Sequence, residues 1–288
     1  MAIEGLRIIG ESINDSVPST KKLFEANDIE ALKALARSQD EGGAHWIDVN
    51  VGLRPKEFMA DMVRQIQAVT TKPLSIDTPD IELSRAGLEA YDIERAGGVK
   101  PIVNSIAETR LNMFELYAVQ PFHALFLLSE RLEGGDSKQN RTADEAYETA
   151  KRLLDAAHKH GLTNDDCIFD PGIAPIGSDT DGINRMVVGT MERIHADPDF
   201  AGVHMSVGLS NYTVMIPPKK PDGSPVKSPL ESAFLTIAMP LGLDTIIGNV
   251  KRKYALLPPD DPALVCVREV LALEGIEAVM RVTEFYSG

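Results

Sequence analysis

Cationic side chains are scarce in this chain. Of its 288 residues, 29 are Lys or Arg against 43 Asp or Glu, a formal charge of −14. Binding to a phosphate backbone draws on clustered Lys and Arg, so this balance argues against nucleic acid as the main partner. It favours solubility and leaves protein partners open. Cysteine is nearly absent as well. Cys167 and Cys266 stand far apart, each inside an apolar run, and read as two buried thiols. No C-x-x-C pair or Cys/His grouping suited to zinc occurs. No stretch approaches the roughly 20 apolar residues of a membrane span. The first residues, Met1-Ala2-Ile3-Glu4-Gly5, lack the basic region and apolar core of a signal peptide. The expectation is a cytoplasmic protein. A G-x-S-x-G nucleophile elbow, a Walker loop and a G-x-G-x-x-G fingerprint are all missing too.

What the chain does contain is a regular alternation. Apolar runs of β-like composition fall at residues 7–11, 46–51, 74–77, 101–104, 124–128, 167–170, 203–209 and 245–248. Between and after them lie helical patterns at 29–41, 55–70, 81–95, 110–119, 143–160, 184–195, 230–241 and 263–284. Asp28 and Thr142 sit where helix N-caps belong, and Gly161 where a helix ends. Strands that are apolar throughout and alternate with helices predict a parallel sheet covered by helices. Eight such units, in a chain slightly longer than the roughly 250 residues typical of the fold, predict one (β/α)₈ TIM barrel over residues 1–288. The Pro-, Lys- and Gly-rich stretch 216–229 reads as an extended rim loop after the seventh strand.

The strand ends carry the functional signal. Leu74-Ser75-Ile76-Asp77, Pro101-Ile102-Val103-Asn104 and Cys167-Ile168-Phe169-Asp170 each close on an acid or an amide. The remaining ends add Glu11 and Asn14, Asp48 and Asn50, Ser210 and Asn211, and Asn249, with the less distinctive Ser129-Glu130 after the fifth strand. Active-site residues of such barrels come from this rim. Asp and Asn also cap helices and shape turns. However, Asp80 and Thr109 already stand at the cap positions after the third and fourth strands, and Asp170 precedes Pro171-Gly172 rather than a helix start. Asp48, Asp77 and Asp170 are also compatible with Mg²⁺, but amides are interleaved with them and no His ends a strand. His45, His123 and the lone Trp46 are expected to pack at the barrel bottom or wall.

Ile8-Ile9-Gly10-Glu11-Ser12-Ile13-Asn14 followed by Asp48-Val49-Asn50-Val51-Gly52 resembles the methyltetrahydrofolate:corrinoid protein methyltransferases. So do Ile76-Asp77, Val103-Asn104-Ser105, Asp170-Pro171, Gly208-Leu209-Ser210-Asn211 and Phe234-Leu235-Thr236-Ile237-Ala238-Met239. Each motif is weak alone; the ordered set, spanning nearly the whole chain, is specific. The folate module of cobalamin-dependent methionine synthase is a relative, and dihydropteroate synthases are more distant.

The resemblance implies that Asp77, Asn104 and Asp170 hold the ring of tetrahydrofolate or 5-methyltetrahydrofolate. Glu11, Asn14, Asp48, Asn50 and Ser210 would line the same cavity, and Asn211 would lie near the methyl-bearing N5 as the catalytic residue. It further implies a homodimer and a corrinoid (cobalamin) acceptor or donor. No D-x-H-x-x-G motif is present, so the corrinoid is expected on a separate protein. Ser12 stands where the family often carries Arg, Lys227 where an Arg is common, and 216–229 is longer than in the acetogen-type enzymes. These departures bear on the partner and the folate tail. Two alternatives stay open, a dihydropteroate synthase-like enzyme and a folate-binding subunit without catalysis. The first lacks its Thr-Pro-Asp-Ser-Phe signature and its late Ser-Arg or Ser-Lys pair.

Overall fold

The computed structural model describes residues 3–288. In chain order the strands are β1 (Arg7–Asn14), β2 (Trp46–Asn50), β3 (Leu74–Asp77), β4 (Ile102–Ile106), β5 (His123–Leu127), β6 (Glu130–Glu133), β7 (Asp136–Gln139), β8 (Cys167–Asp170), β9 (His204–Gly208) and β10 (Leu243–Gly248). All but β6 and β7 run parallel and close into a barrel in the order β1-β10-β9-β8-β5-β4-β3-β2. The helices are α1 (Pro18–Glu25), α2 (Ile29–Glu41), α3 (Lys56–Gln67), α4 (Ile81–Ala90), α5 (Ala143–Lys159), α6 (Ile183–Ala196), α7 (Leu209–Tyr212), α8 (Lys227–Ala238), α9 (Pro262–Ala272) and α10 (Gly275–Ser287). The eight-unit barrel read from the alternation is the architecture that forms.

Local chemistry explains the main elements. Asp28 caps α2 by accepting from the Ala31 N–H at 3.0 Å. Thr142 and Glu145 make a reciprocal capping box on α5. Gly161 follows that helix at φ +87°, a conformation that costs a glycine little. Between sheet and helices, Ile47, Val49 and Ile76 pack with Met59, Met62 and Val63 of α3 in one continuous core. Each such side chain contributes roughly 1.5–3 kcal/mol on burial.

Inside the barrel the side chains stack by height. At the N-terminal end Arg7, His204 and Asp244 form a charged plug. Above it Ile9, Trp46, Ile102, Leu125 and Ile168 form a second, apolar cluster. The strand period of two then puts Asp48, Asn104 and Asp170 one step higher, at the C-terminal end.

Several expectations are corrected. β1 runs three residues past Glu11, with its register against β2 shifting between Gly10 and Ile13. A Cβ on Gly10 would collide with the Gln39 carboxamide, whose oxygen accepts from the Ser12 N–H at 3.0 Å. β4 continues to Ile106, so Asn104 lies mid-strand rather than last. Thr109 does not cap a helix; its hydroxyl donates to Glu130 at 2.8 Å, and the segment Glu108–Ala118 is 3-10 helical. α8 starts at Lys227, inside the stretch read as loop. The last helical pattern is two helices, broken at Gly275 with φ +55°. His45 is exposed, and its Nδ1 accepts from the Ile8 N–H at 3.0 Å.

Candidate functional site

A cavity of about 470 Å³ opens at the C-terminal end of the barrel. Glu11, Asn14, Asp48, Asp77, Asn104, Asp170, Ser210 and Asn211 all line it, so eight of the nine residues that the resemblance places in the site converge there. Asn50 is the exception. It sits behind Asp77 and donates to its Oδ2 at 2.9 Å, while its own oxygen accepts from the Gly52 N–H at 2.9 Å. It orients Asp77 rather than facing the cavity. Asn249 also stays out, its oxygen accepting from the Lys251 N–H at 2.9 Å. Glu130 belongs to the β6–β7 hairpin, where it accepts from Ser137 at 2.8 Å.

Sequence reasoning missed the apolar part of the lining: Leu125, Leu127, Ile173, Val214 and Ile247. The signal was available in the strand period. Leu125 is in register with Asn104, and Leu127 with Asp170. Apolar walls with a few convergent polar groups, in a volume of several hundred Å³, are what a small-molecule site requires.

Asp48, Asp77 and Asp170 have no cation beside them. Asp48 is buried, and its Oδ1 accepts from the Ser75 hydroxyl at 2.6 Å. Burial pushes its carboxyl well above the ordinary range, and the neighbouring Asp77 charge adds to this against hydrogen bonds from Ser75 and Asn104. Burial raises Asp77 as well, while hydrogen bonds from Asn50 and Asp48 oppose the rise. Two carboxyls so placed cannot both ionise cheaply. Asp48 is the more deeply buried of the two, and its carboxyl is raised further. Asn14 approaches the same Asp77 oxygen at 3.5 Å.

Asp170 is buried too. Burial pushes it up to about 7, against a hydrogen bond from the Gly172 N–H at 2.8 Å. Glu11 is raised by burial, opposed by the Ser210 hydroxyl at 2.5 Å and the charge of Arg252. No Lys or Arg is among the lining residues. Such a set is suited to a neutral ligand rich in N–H donors.

Asn211 differs from these groups. It lies on the single turn α7, directly after β9, and is exposed at the cavity mouth. Its Nδ2 folds back over Gly208, where a Cβ would come within 2.9 Å. Its carboxamide has no hydrogen-bond partner among the described residues, so it is available to a ligand.

Other groups are chemically quiet. Burial pushes Cys167 up to about 12 and Cys266 up to about 11, and both are free, buried thiols. Among the described residues no three His, Cys, Asp or Glu side chains are grouped to hold a metal ion. No described helix is long and apolar enough to cross a membrane.

Comparison with known proteins agrees with this geometry. The family model described as pterin binding enzyme matches residues 13–249. A methylcorrinoid:tetrahydrofolate methyltransferase of Eubacterium limosum is 26% identical over 249 residues, covering 83% of this chain and 83% of that protein. A methionine synthase of Mycobacterium leprae is 25% identical over 259 residues, and there the matched region is only 20% of the relative's length. Among solved structures, a dihydropteroate synthase of Xanthomonas albilineans in complex with 7,8-dihydropteroate superposes with a TM-score of 0.58. It is 16% identical and covers 95% of this chain and 96% of that one, a likeness of fold.

Proposed function

Because the chain belongs to the pterin-binding enzymes, we propose that its cavity holds the reduced pterin of tetrahydrofolate and that it moves a methyl group between N5 of that ring and the cobalt of a corrinoid borne by a separate protein. The observation that carries this reading is the pairing of uncompensated acids inside the cavity with a free carboxamide, Asn211, at its mouth. The name of the Eubacterium limosum relative points the same way.

A reduced pterin presents ring N–H and amino donors beside carbonyl and ring-nitrogen acceptors. Asp77 and Asp170 take the donors as carboxylates, and Asn104 serves either kind. Asn50, donating to Asp77 Oδ2, fixes the direction of that carboxyl. When the methyl group leaves N5, the bonding electron pair stays on the nitrogen, and an amide anion there is prohibitively high in energy. Asn211 Nδ2 donates to N5 as that charge develops, which stabilises the transition state more than the bound substrate. The corrinoid cobalt supplies the methyl acceptor in one direction and the donor in the other.

The partner must cover the mouth. Leu53, after β2, and Met215, after α7, are at least nine-tenths exposed on the loops of this end, and they offer it apolar contact. A dihydropteroate synthase reaction fits less well, since a diphosphate leaving group calls for the cations that this lining lacks.

The test is spectroscopic. Purified protein is mixed with cob(I)alamin and methyltetrahydrofolate, then with methylcobalamin and tetrahydrofolate, and the cobalamin absorbance is followed. Protein-dependent conversion in either mixture is expected, and the faster mixture indicates the favoured direction. Measurable folate binding with no conversion, even when a corrinoid protein is supplied, would leave a folate-binding protein that is not a methyltransferase.

A further inference from the structure

The stretch that carries Asn211 is gripped from two sides by acids on separate elements, one half-buried and one fully buried. On one side Glu11 of β1 accepts the Ser210 hydroxyl at 2.5 Å. On the other the Thr213 hydroxyl donates to Oε1 of Glu231, a residue of α8 with no exposed surface. The guanidinium of Arg252, after β10, lies 3.3 Å from the other Glu231 oxygen. Between them Tyr212 is fully buried against Phe234 of α8, ring centroids 5.0 Å apart, and its carbonyl accepts from the Ile176 N–H at 2.9 Å. Of the four residues Ser210 to Thr213, three side chains are anchored. Only Asn211 is exposed.

A carboxylate kept wholly out of water, with one cation and one hydroxyl, is costly to maintain. Packing alone would favour Leu or Met at this position of α8. The acid reaches the loop instead, two residues from Asn211.

We infer that Glu231 is a positioning residue for Asn211: with Glu11 it clamps the one-turn helix α7 at both ends, so that the free carboxamide is held toward the place of N5. The inference rests on the methyl-transfer reading. A single helical turn has too few backbone hydrogen bonds to hold its own geometry, and a displacement of about 1 Å at a reacting group can cost on the order of 100-fold in rate.

The test removes the clamp without stranding an acid in the core. In Thr213→Val/Glu231→Leu both partners become apolar, which is gentler than losing one. Turnover in the cobalamin assay is expected to fall about 10- to 100-fold while the tetrahydrofolate Kd stays within about twofold. Thr213→Ser and Glu231→Gln, which keep a hydroxyl and an acceptor, are expected to retain near-wild-type turnover. They keep the comparison usable if the double variant folds poorly. Placed on an Asn211→Ala background, the clamp substitutions are expected to cost nothing further.

Wild-type turnover in the double variant would overturn the inference. So would an equal loss on the Asn211→Ala background, because the clamp would then act elsewhere. A wild-type protein that binds folate but is silent in the assay would instead remove the methyl-transfer reading, and the clamp with it.

Discussion

The two ends of the barrel use the same side chain to opposite effect. At the N-terminal end two enclosed acids each have a cation. Asp166 meets Lys100 at 2.5 Å, and Asp244 meets Arg7 at 2.8 Å and His204 at 2.6 Å. Burial alone would raise both acids, but these partners hold them below the ordinary carboxylate range. At the C-terminal end Asp48, Asp77 and Asp170 have no cation on the lining, and burial raises all three. The lower acids close the barrel. The upper ones are left without a cation at a cost to stability, the signature of groups reserved for a ligand.

The sharpest way to test that contrast is at the mouth of the upper end. Asn211→Ala is expected to lose about 10²–10⁴ in turnover with little change in folate affinity, read from kcat and from a binding titration. Equal losses in both would take Asn211 out of the transition state. Next come the lower acids. Asp166→Ala strands Lys100, which is one-third exposed, so the loss is expected at about 2–3 kcal/mol in denaturant unfolding rather than the full cost of a buried pair. Folate affinity is expected to stay unchanged. At the upper end the pattern inverts: Asp77→Ala is expected to weaken tetrahydrofolate binding by about 10- to 100-fold, the worth of a hydrogen bond to a charged group. Wild-type affinity in that variant would dissolve the distinction between the two ends.

The pH dependence of stability has opposite signs at the two ends. Asp170 has a folded-state value of about 7, above its ordinary 3.8. Its contribution therefore favours the fold at acid pH and is lost as pH rises toward 7. Asp166 and Asp244 lie below the ordinary value, so their contribution is present above it and disappears as pH falls through their folded values. Asp170→Asn is expected to flatten the stability profile between about pH 4 and pH 7 while leaving the acid-side loss in place. An unchanged profile would mean that Asp170 does not carry the upper-end effect.

Most of the site was legible in the sequence because a strand of period two fixes which residues point inward. An acid closing a short apolar run marks the rim, and Asp77 and Asp170 were found that way. What escaped lay outside that pattern. α1 buries only Thr20 and Phe24, too little apolar periodicity to announce a helix. β6 and β7 are almost wholly solvent-facing, with no alternation, although Gly134 and Gly135 at φ +64° and +94° form the two-residue turn typical of hairpins. Asn50 ends a strand as nominated, yet orients Asp77, because which neighbour an amide bonds is a tertiary matter. Glu231 carries no local signal at all. A lone acid in an apolar helix reads as a solvated face until Thr213 and Arg252 are seen beside it.

The central claim is that the cation-free acids of the upper end await the donors of a reduced pterin. It is tested most directly by titrating tetrahydrofolate into wild-type protein and into Asp170→Asn at about pH 6 and about pH 8. Wild-type binding is expected to tighten toward pH 8, by at most about tenfold per unit, as Asp170 ionises. Asp170→Asn is expected to bind more weakly and with no such dependence. Wild-type affinity that ignores pH, matched by Asp170→Asn, would contradict the account.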